Sequence, residues 1–347
     1  MIILFYNFIA MNKNNKSNLV KVFISIILIG SFIYYFFGKN PERLFNDLLN
    51  KVDYLYVILS IIFGGIAYIS RGIRWIILIN AIGHQVSKKH TISAVSFSYF
   101  ANLFIPRAGE IARCTALKKS DDIPVDKLFG TILIERIIDF VFLIFFGILC
   151  IVLKSSEINN SINSYNKLVK NDDSNIGPLS IIIIFVFITA VYIFKNKIKK
   201  LKIYSKIIAF FIGIKEGLKS IKKIDNKFMF WVHTVIIWVM YFAMTAICFF
   251  AIPETSNLNI SDGLFLLVIG GVGMVIPSPG GIGTYHFLVM IGLVAIQVPK
   301  GIISLNPYDE YNPAFLFPFI VHSAQTLLAL LSGAVGFYIL FKNKKTN

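Results

Sequence analysis

The sequence predicts an all-α integral membrane protein with six full crossings plus two re-entrant helical hairpins in an inverted-repeat arrangement, and with both termini cytoplasmic. Three observations lead there. Of 347 residues, 56% are hydrophobic and 15% are charged, against roughly 25% charged in a soluble domain. The apolar residues fall into runs close to the ~20 that a lipid-spanning helix needs, and a helix pairs its own backbone polar groups in hydrocarbon. The short alternating segments of a β-barrel are missing. The net charge of +16 gathers in short loops, where it suits anionic lipid rather than nucleic acid.

The elements follow in order. Residues 1–18 are set apart: the apolar start has neither a basic n-region nor a cleavage site, and Met11 opens a polar stretch as a second candidate start. Residues 19–341 form a single transmembrane domain, and 342–347 a basic cytoplasmic tail. Crossings are predicted at residues 19–37, 54–82, 128–153, 179–194, 228–251 and 314–341. Residues 195–227 hold eleven lysines, with apolar and basic residues alternating at helical spacing over 203–218. They read as an amphipathic helix on the membrane surface or as a solvated basic linker. This loop must be cytoplasmic by the positive-inside rule. Counting outward places Lys88, Lys89, Lys118, Lys119 and the tail inside as well, provided two weaker apolar segments do not cross. Those segments, about 91–117 and 263–298, are read as re-entrant hairpins, the first open to the cytoplasm and the second to the outside.

Each hairpin turns at a proline and glycine. Ile105 to Ile111 and Ile276 to Ile282 both fit I-P-x-x-G-x-I. Proline ends a helix, and glycine accepts backbone angles closed to other residues. The freed N–H groups and the positive end of the next half-helix can hold an anion. Matching breaks entering from opposite faces form a transporter arrangement. A plain surface loop is the alternative for Pro277, Ser278, Pro279, Gly280, Gly281 and Gly283.

Charges inside apolar segments cost about 2.5–3.5 kcal/mol each at mid-bilayer, so they pair or line a wet cavity. Arg71 and Arg74 share a helix face, and either turn inward or snorkel to headgroups. Arg107, Glu110 and Arg113 recur at spacing three beside Asn102 and Pro106, and could present guanidinium forks to a phosphate. Glu135, Arg136 and Asp139 could line a pocket or glue helices as an ion-pair cluster. His286 follows the second tip as a packing residue or a proton carrier. Cys114, Cys150 and Cys248 lack metal-ligand spacing and read as packing residues. No catalytic set, metal site or cofactor is expected.

The runs R-G-I-R-W (71–75), N-L-F-I-P-R-A-G-E-I-A-R (102–113), E-R-I-I-D (135–139) and I-P-S-P-G-G-I-G-T-Y (276–285) occur in this order. Together they resemble the transmembrane region of the lysylphosphatidylglycerol synthase and flippase family, the membrane half of the multiple peptide resistance factor, over roughly residues 19–341. The resemblance implies a flippase-like domain in a bacterial or archaeal plasma membrane that moves an anionic or aminoacylated phospholipid between leaflets. Many members carry an acidic residue where this sequence has His286. The last crossing ends at Phe341 and the sequence at Asn347, so the family's soluble aminoacyl-transferase domain, and with it lipid aminoacylation, is not expected.

The leading expectation is therefore a lipid translocase, its groove lined by Arg107, Arg113 and the 277–283 amides. A transporter of a soluble organic anion or amphiphile, an embedded lipid-modifying enzyme using Glu135 or Asp139 as base, and a scaffold acting through 195–227 are the alternatives. Expected partners are membrane lipids and no nucleic acid; a homo-oligomer and a separate lipid-modifying enzyme are left open.

Overall fold

The computed structural model describes residues 41–155, 224–276, 278–297, 301 and 313–342. The predicted crossings at 19–37 and 179–194, nearly all of the 195–227 segment, and Pro277 lie outside the described residues. Within them, every regular element is helical. Five helical stretches are long and apolar enough to cross a membrane: Tyr54–Ala81, Val125–Leu153, Lys227–Ala251, Pro279–Gln297 and Pro313–Phe341.

A short helix, α1 (Pro41–Lys51), precedes the first of these. It is absent from the sequence reading, although proline at its first position and Glu42 in its first turn mark a helix start. Asp53 then caps α2 (Tyr54–Ala81) by accepting from the Leu55 amide at 3.0 Å. Ser87 likewise caps α3 (Lys88–Phe104) through the His90 amide, which starts the helix three residues before the predicted hairpin. α3 stops where Pro106 cannot continue it. Arg107 takes a left-handed conformation (φ 61°) and α4 (Ala108–Asp121) begins. α4 packs back along α3 so closely that a Cβ on Gly109 would strike the Ser98 carbonyl. α5 (Val125–Leu153) follows.

α6 (Lys227–Ala246) passes into a 3₁₀ stretch, Ile247–Ala251. Asn259 and Asp262 form a capping box at the start of α7 (Ile260–Val275). A break at 276–283 follows, with left-handed Gly280, Gly281 and Gly283 (φ 58°, 84° and 86°) around the short 3₁₀ turn Pro279–Gly281. α8 (Thr284–Gln297) returns along α7, and α9 (Pro313–Phe341) closes the bundle.

Two hydrophobic cores occupy opposite ends. One gathers where α2, α7 and α9 begin and where the α6 stretch and α8 finish, around Phe249, Leu258, Leu293 and Phe317. The other gathers where α2, α4 and α9 finish and α3, α5 and α6 begin, around Trp75, Leu117, Leu128 and Phe230. The α3–α4 hairpin therefore starts from and returns to one end, and the α7–α8 hairpin starts from and returns to the other. At 1.5 Å per residue α3, α4 and α7 measure about 21–26 Å, short of the ~30 Å hydrocarbon core, whereas α8 together with the turn before it, Pro279–Gln297, reaches crossing length.

Lys154, just past α5, meets Asp262 of α7 at 2.6 Å, both almost wholly buried. Removing one partner of such a pair costs about 3–5 kcal/mol. Asp262→Asn is expected to lower the apparent Tm in detergent by about 5–10 °C; a thermal scan of the purified chain checks this.

Candidate functional site

Between the two cores the hairpin tips touch. The Arg107 guanidinium donates to the Val275 carbonyl at 3.0 Å. α3 packs on the Pro279–Gly281 turn, and a Cβ on Gly280 would stand 2.8 Å from Leu103 Cδ2. The first tip is held by Asn102, whose side-chain oxygen accepts from the Gly109 amide at 2.7 Å across the Pro106 break. The second tip is held by hydroxyls. Ser278 and Thr284 are 2.8 Å apart, and Thr284 donates to the Gly273 carbonyl at 2.9 Å. His322 of α9 lies with Nε2 2.9 Å from the Gly280 carbonyl oxygen. His286 takes the Gly283 amide on Nδ1 at 3.4 Å and packs against His322 with ring centroids 4.7 Å apart.

Beside the tips runs an alternating chain of charge. Arg71 reaches Asp139 at 2.7 Å, and Asp139 also takes Arg74 at 3.0 Å. Arg74 reaches Glu135 at 3.4 Å, and Glu135 also takes Arg113 at 2.6 Å. Each carboxylate thus bridges two guanidiniums, and both ends of the chain are arginines. Arg71 is 5% exposed, Arg113 2%, and Arg74 and Glu135 not at all. The chain binds α2, α4 and α5 together, and Thr234 of α6 takes a further bond from Arg74. Arg113 lies over the Trp75 ring at 4.4 Å, and the Trp75 indole donates to Thr131 at 2.8 Å. At the Arg71 end stand three tyrosines: Tyr68 and Tyr99 stack at 4.1 Å, Tyr99 and Tyr241 share a hydrogen bond at 2.9 Å, and Arg71 faces the Tyr241 ring.

The sequence grouping of these charges changes in three ways. Arg71 and Arg74 turn inward and do not snorkel. Arg136 leaves Glu135 and Asp139 to pair with Glu110 at 2.7 Å on a more exposed face. Arg107, Glu110 and Arg113 do not act as one stripe: spacing of three presumes a continuous helix, and the left-handed turn at Arg107 takes it out of α4. Arg107 alone reaches the second tip, while Arg113 lies in the ion chain and not in the expected groove. Sequence reasoning missed the three tyrosines, Thr131, Thr234 and His322. A histidine within an apolar crossing was a usable signal for His322; the tyrosines carry no signal beyond helical amphipathicity. No group of three His, Cys, Asp or Glu suited to a metal occurs among the described residues.

Residues 19–304 match the family described as the lysylphosphatidylglycerol synthase TM region. A UPF0104 membrane protein of Methanocaldococcus jannaschii is 21% identical over 336 residues, covering 89% of this chain and 94% of the relative. No solved structure matches the chain. With the family match spanning most of the sequence and five helical stretches of membrane-crossing length among the described residues, the chain belongs to the lysylphosphatidylglycerol synthase transmembrane-region family and is an integral, multi-pass membrane protein.

Proposed function

We propose that this protein is a lipid translocase that moves a phospholipid or lipid-linked substrate between the leaflets of a bacterial or archaeal plasma membrane. One observation carries the reading: two opposed hairpins meet tip to tip at Arg107 and Val275. In a bilayer such hairpins are re-entrant. Irregular backbone at that depth is tolerated only where protein buries it or a polar cavity takes it up. The positive ends of α4 and α8 open toward the meeting point, where a phosphate is favoured, and Arg107 supplies the guanidinium. The end bearing Lys89, Lys119 and Lys342 is cytoplasmic by the positive-inside rule. The family's name supports an anionic or aminoacylated headgroup as cargo. The reaction is movement without covalent change, so the protein is not an enzyme in this reading; a separate protein would make the lipid.

Reconstitution in liposomes with a headgroup-labelled phospholipid and an impermeant quencher tests this. Faster flipping than in protein-free vesicles is expected for at least one anionic, aminoacylated or polyprenyl lipid. Arg107→Ala is expected to cut that rate about tenfold, the loss of one charge-assisted hydrogen bond to cargo or tip. Unchanged flipping across the whole panel would remove the proposal. Counterflow of a water-soluble organic anion in its place would favour the soluble-substrate alternative.

A further inference from the structure

Three basic segments distant in sequence converge at one end of the bundle. Lys89 of α3, Lys119 of α4 and Lys342 after α9 line a cavity of about 410 Å³. Lys119 lies over the Phe341 ring at 4.7 Å and Lys342 over the Tyr338 ring at 4.6 Å, so aromatic faces hold two of the ammonium groups at the rim. The nearby acids have partners of their own: Asp121 with His90, which also lines the cavity, at 2.8 Å, and Asp122 with Lys118 at 2.6 Å. Lys89, Lys119 and Lys342 take part in no ion pair among the described residues.

A second cavity, of about 450 Å³, adjoins the first and shares Ile339 with it. It runs down the seam between α3 and α9 and is flanked by α2. Small residues open it, among them Gly65, Ser93, Ser96 and Ser332. Its margins, Ile69, Leu331 and Val335, are apolar and 47–61% exposed, as befits residues facing lipid. From Ile339 to Leu328 the groove descends about 16 Å, close to one leaflet's share of the ~30 Å hydrocarbon core. Tyr338 and Phe341 sit where an apolar helix ends, the level at which aromatic side chains meet headgroups.

A basic pocket opening onto a leaflet-deep apolar groove has the two-part shape of a phospholipid. We propose that the α3–α9 seam holds one anionic glycerophospholipid, its phosphate among Lys89, Lys119 and Lys342 and one acyl chain along the groove past Gly65. Basic pockets between transmembrane helices take such headgroups. Residues 195–223 and 343–347 are themselves rich in lysine and do not suit the basic end of this site. The site lies away from the hairpin tips and stands whether or not the tips translocate lipid.

The test uses the full chain in liposomes with a phosphatidylglycerol bearing a photoreactive group on one acyl chain. Competing phosphatidylglycerol is expected to suppress crosslinking to α3 and α9 peptides at least about tenfold better than phosphatidylcholine, given three lysines at the headgroup. The triple variant Lys89→Gln, Lys119→Gln, Lys342→Gln should lose that preference while keeping wild-type melting. Gly65→Leu fills the groove, and no atom lies within 4 Å of the added Cβ. It should reduce crosslinking at the seam by about tenfold for both lipids. Equal competition by the two lipids, crosslinks away from the seam, or wild-type behaviour of both variants would overturn the proposal. So would full competition by inorganic phosphate, which would mark a free-anion site.

Discussion

Glu135→Gln is expected to be strongly destabilising, lowering the apparent Tm in detergent by about 5–10 °C. In the native chain three guanidiniums face two carboxylates, and Glu135 joins Arg74 to Arg113. Its loss leaves three buried cations to Asp139 alone. Breaking a buried pair from one side costs about 3–5 kcal/mol, which for a chain of this size is about 1–2 °C for each kcal/mol lost. Arg113→Gln, in contrast, leaves two arginines facing two carboxylates. It should cost less, even though its stacking on Trp75 is weakened. The double variant should melt above Glu135→Gln alone, the signature of a coupled pair in a double-mutant cycle. If Arg113→Gln proves as harmful as Glu135→Gln, charge balance does not govern the chain, and packing around Trp75 does.

Gly280→Ala should act differently, sparing the fold and slowing the proposed lipid movement. Gly280 has φ 58° and sits where the second tip touches the first. A methyl there stands 2.8 Å from Leu103 Cδ2 and 3.4 Å from Leu103 Cα. The left-handed angle costs alanine about 1–2 kcal/mol, and the contact forces Leu103 or the whole tip to give way. Lipid flipping is expected to fall about tenfold or more, with a Tm change of only a few degrees. Adding Leu103→Ala should restore part of the rate, because it relieves the collision but not the backbone strain. Wild-type flipping by Gly280→Ala would show that close approach of the tips is dispensable. A defect untouched by Leu103→Ala would assign the effect to the turn itself.

The two hairpins were readable because proline and glycine act locally. Pro106 ends α3 and the glycines at 280–283 bend the second break whatever surrounds them. The long apolar helices expected at 54–82, 128–153, 228–251 and 314–341 were readable for a similar reason, since hydrocarbon imposes length and polarity on each segment alone. The buried charges were visible as residues but not as partners. Which carboxylate meets which arginine depends on how α2, α4 and α5 are rotated about their axes, and that is decided by the core around Trp75, Leu117 and Leu128. Arg113 shows the limit most plainly: its helical spacing from Arg107 was real in the sequence, but one left-handed residue cancelled it. Tyr68, Tyr99 and Tyr241 lie on three different helices and acquire meaning only once those helices are packed together.

The charge chain also divides the labour between the hairpins. Arg113 locks the first hairpin into α2 and α5 through Glu135 and its neighbours. The second hairpin is held at its base by Asp262 to Lys154 and is met at its apex by Arg107 and His322. If the proposed translocation parts the apices, the first hairpin is the one expected to stay fixed and the second to turn about its Asp262 anchor.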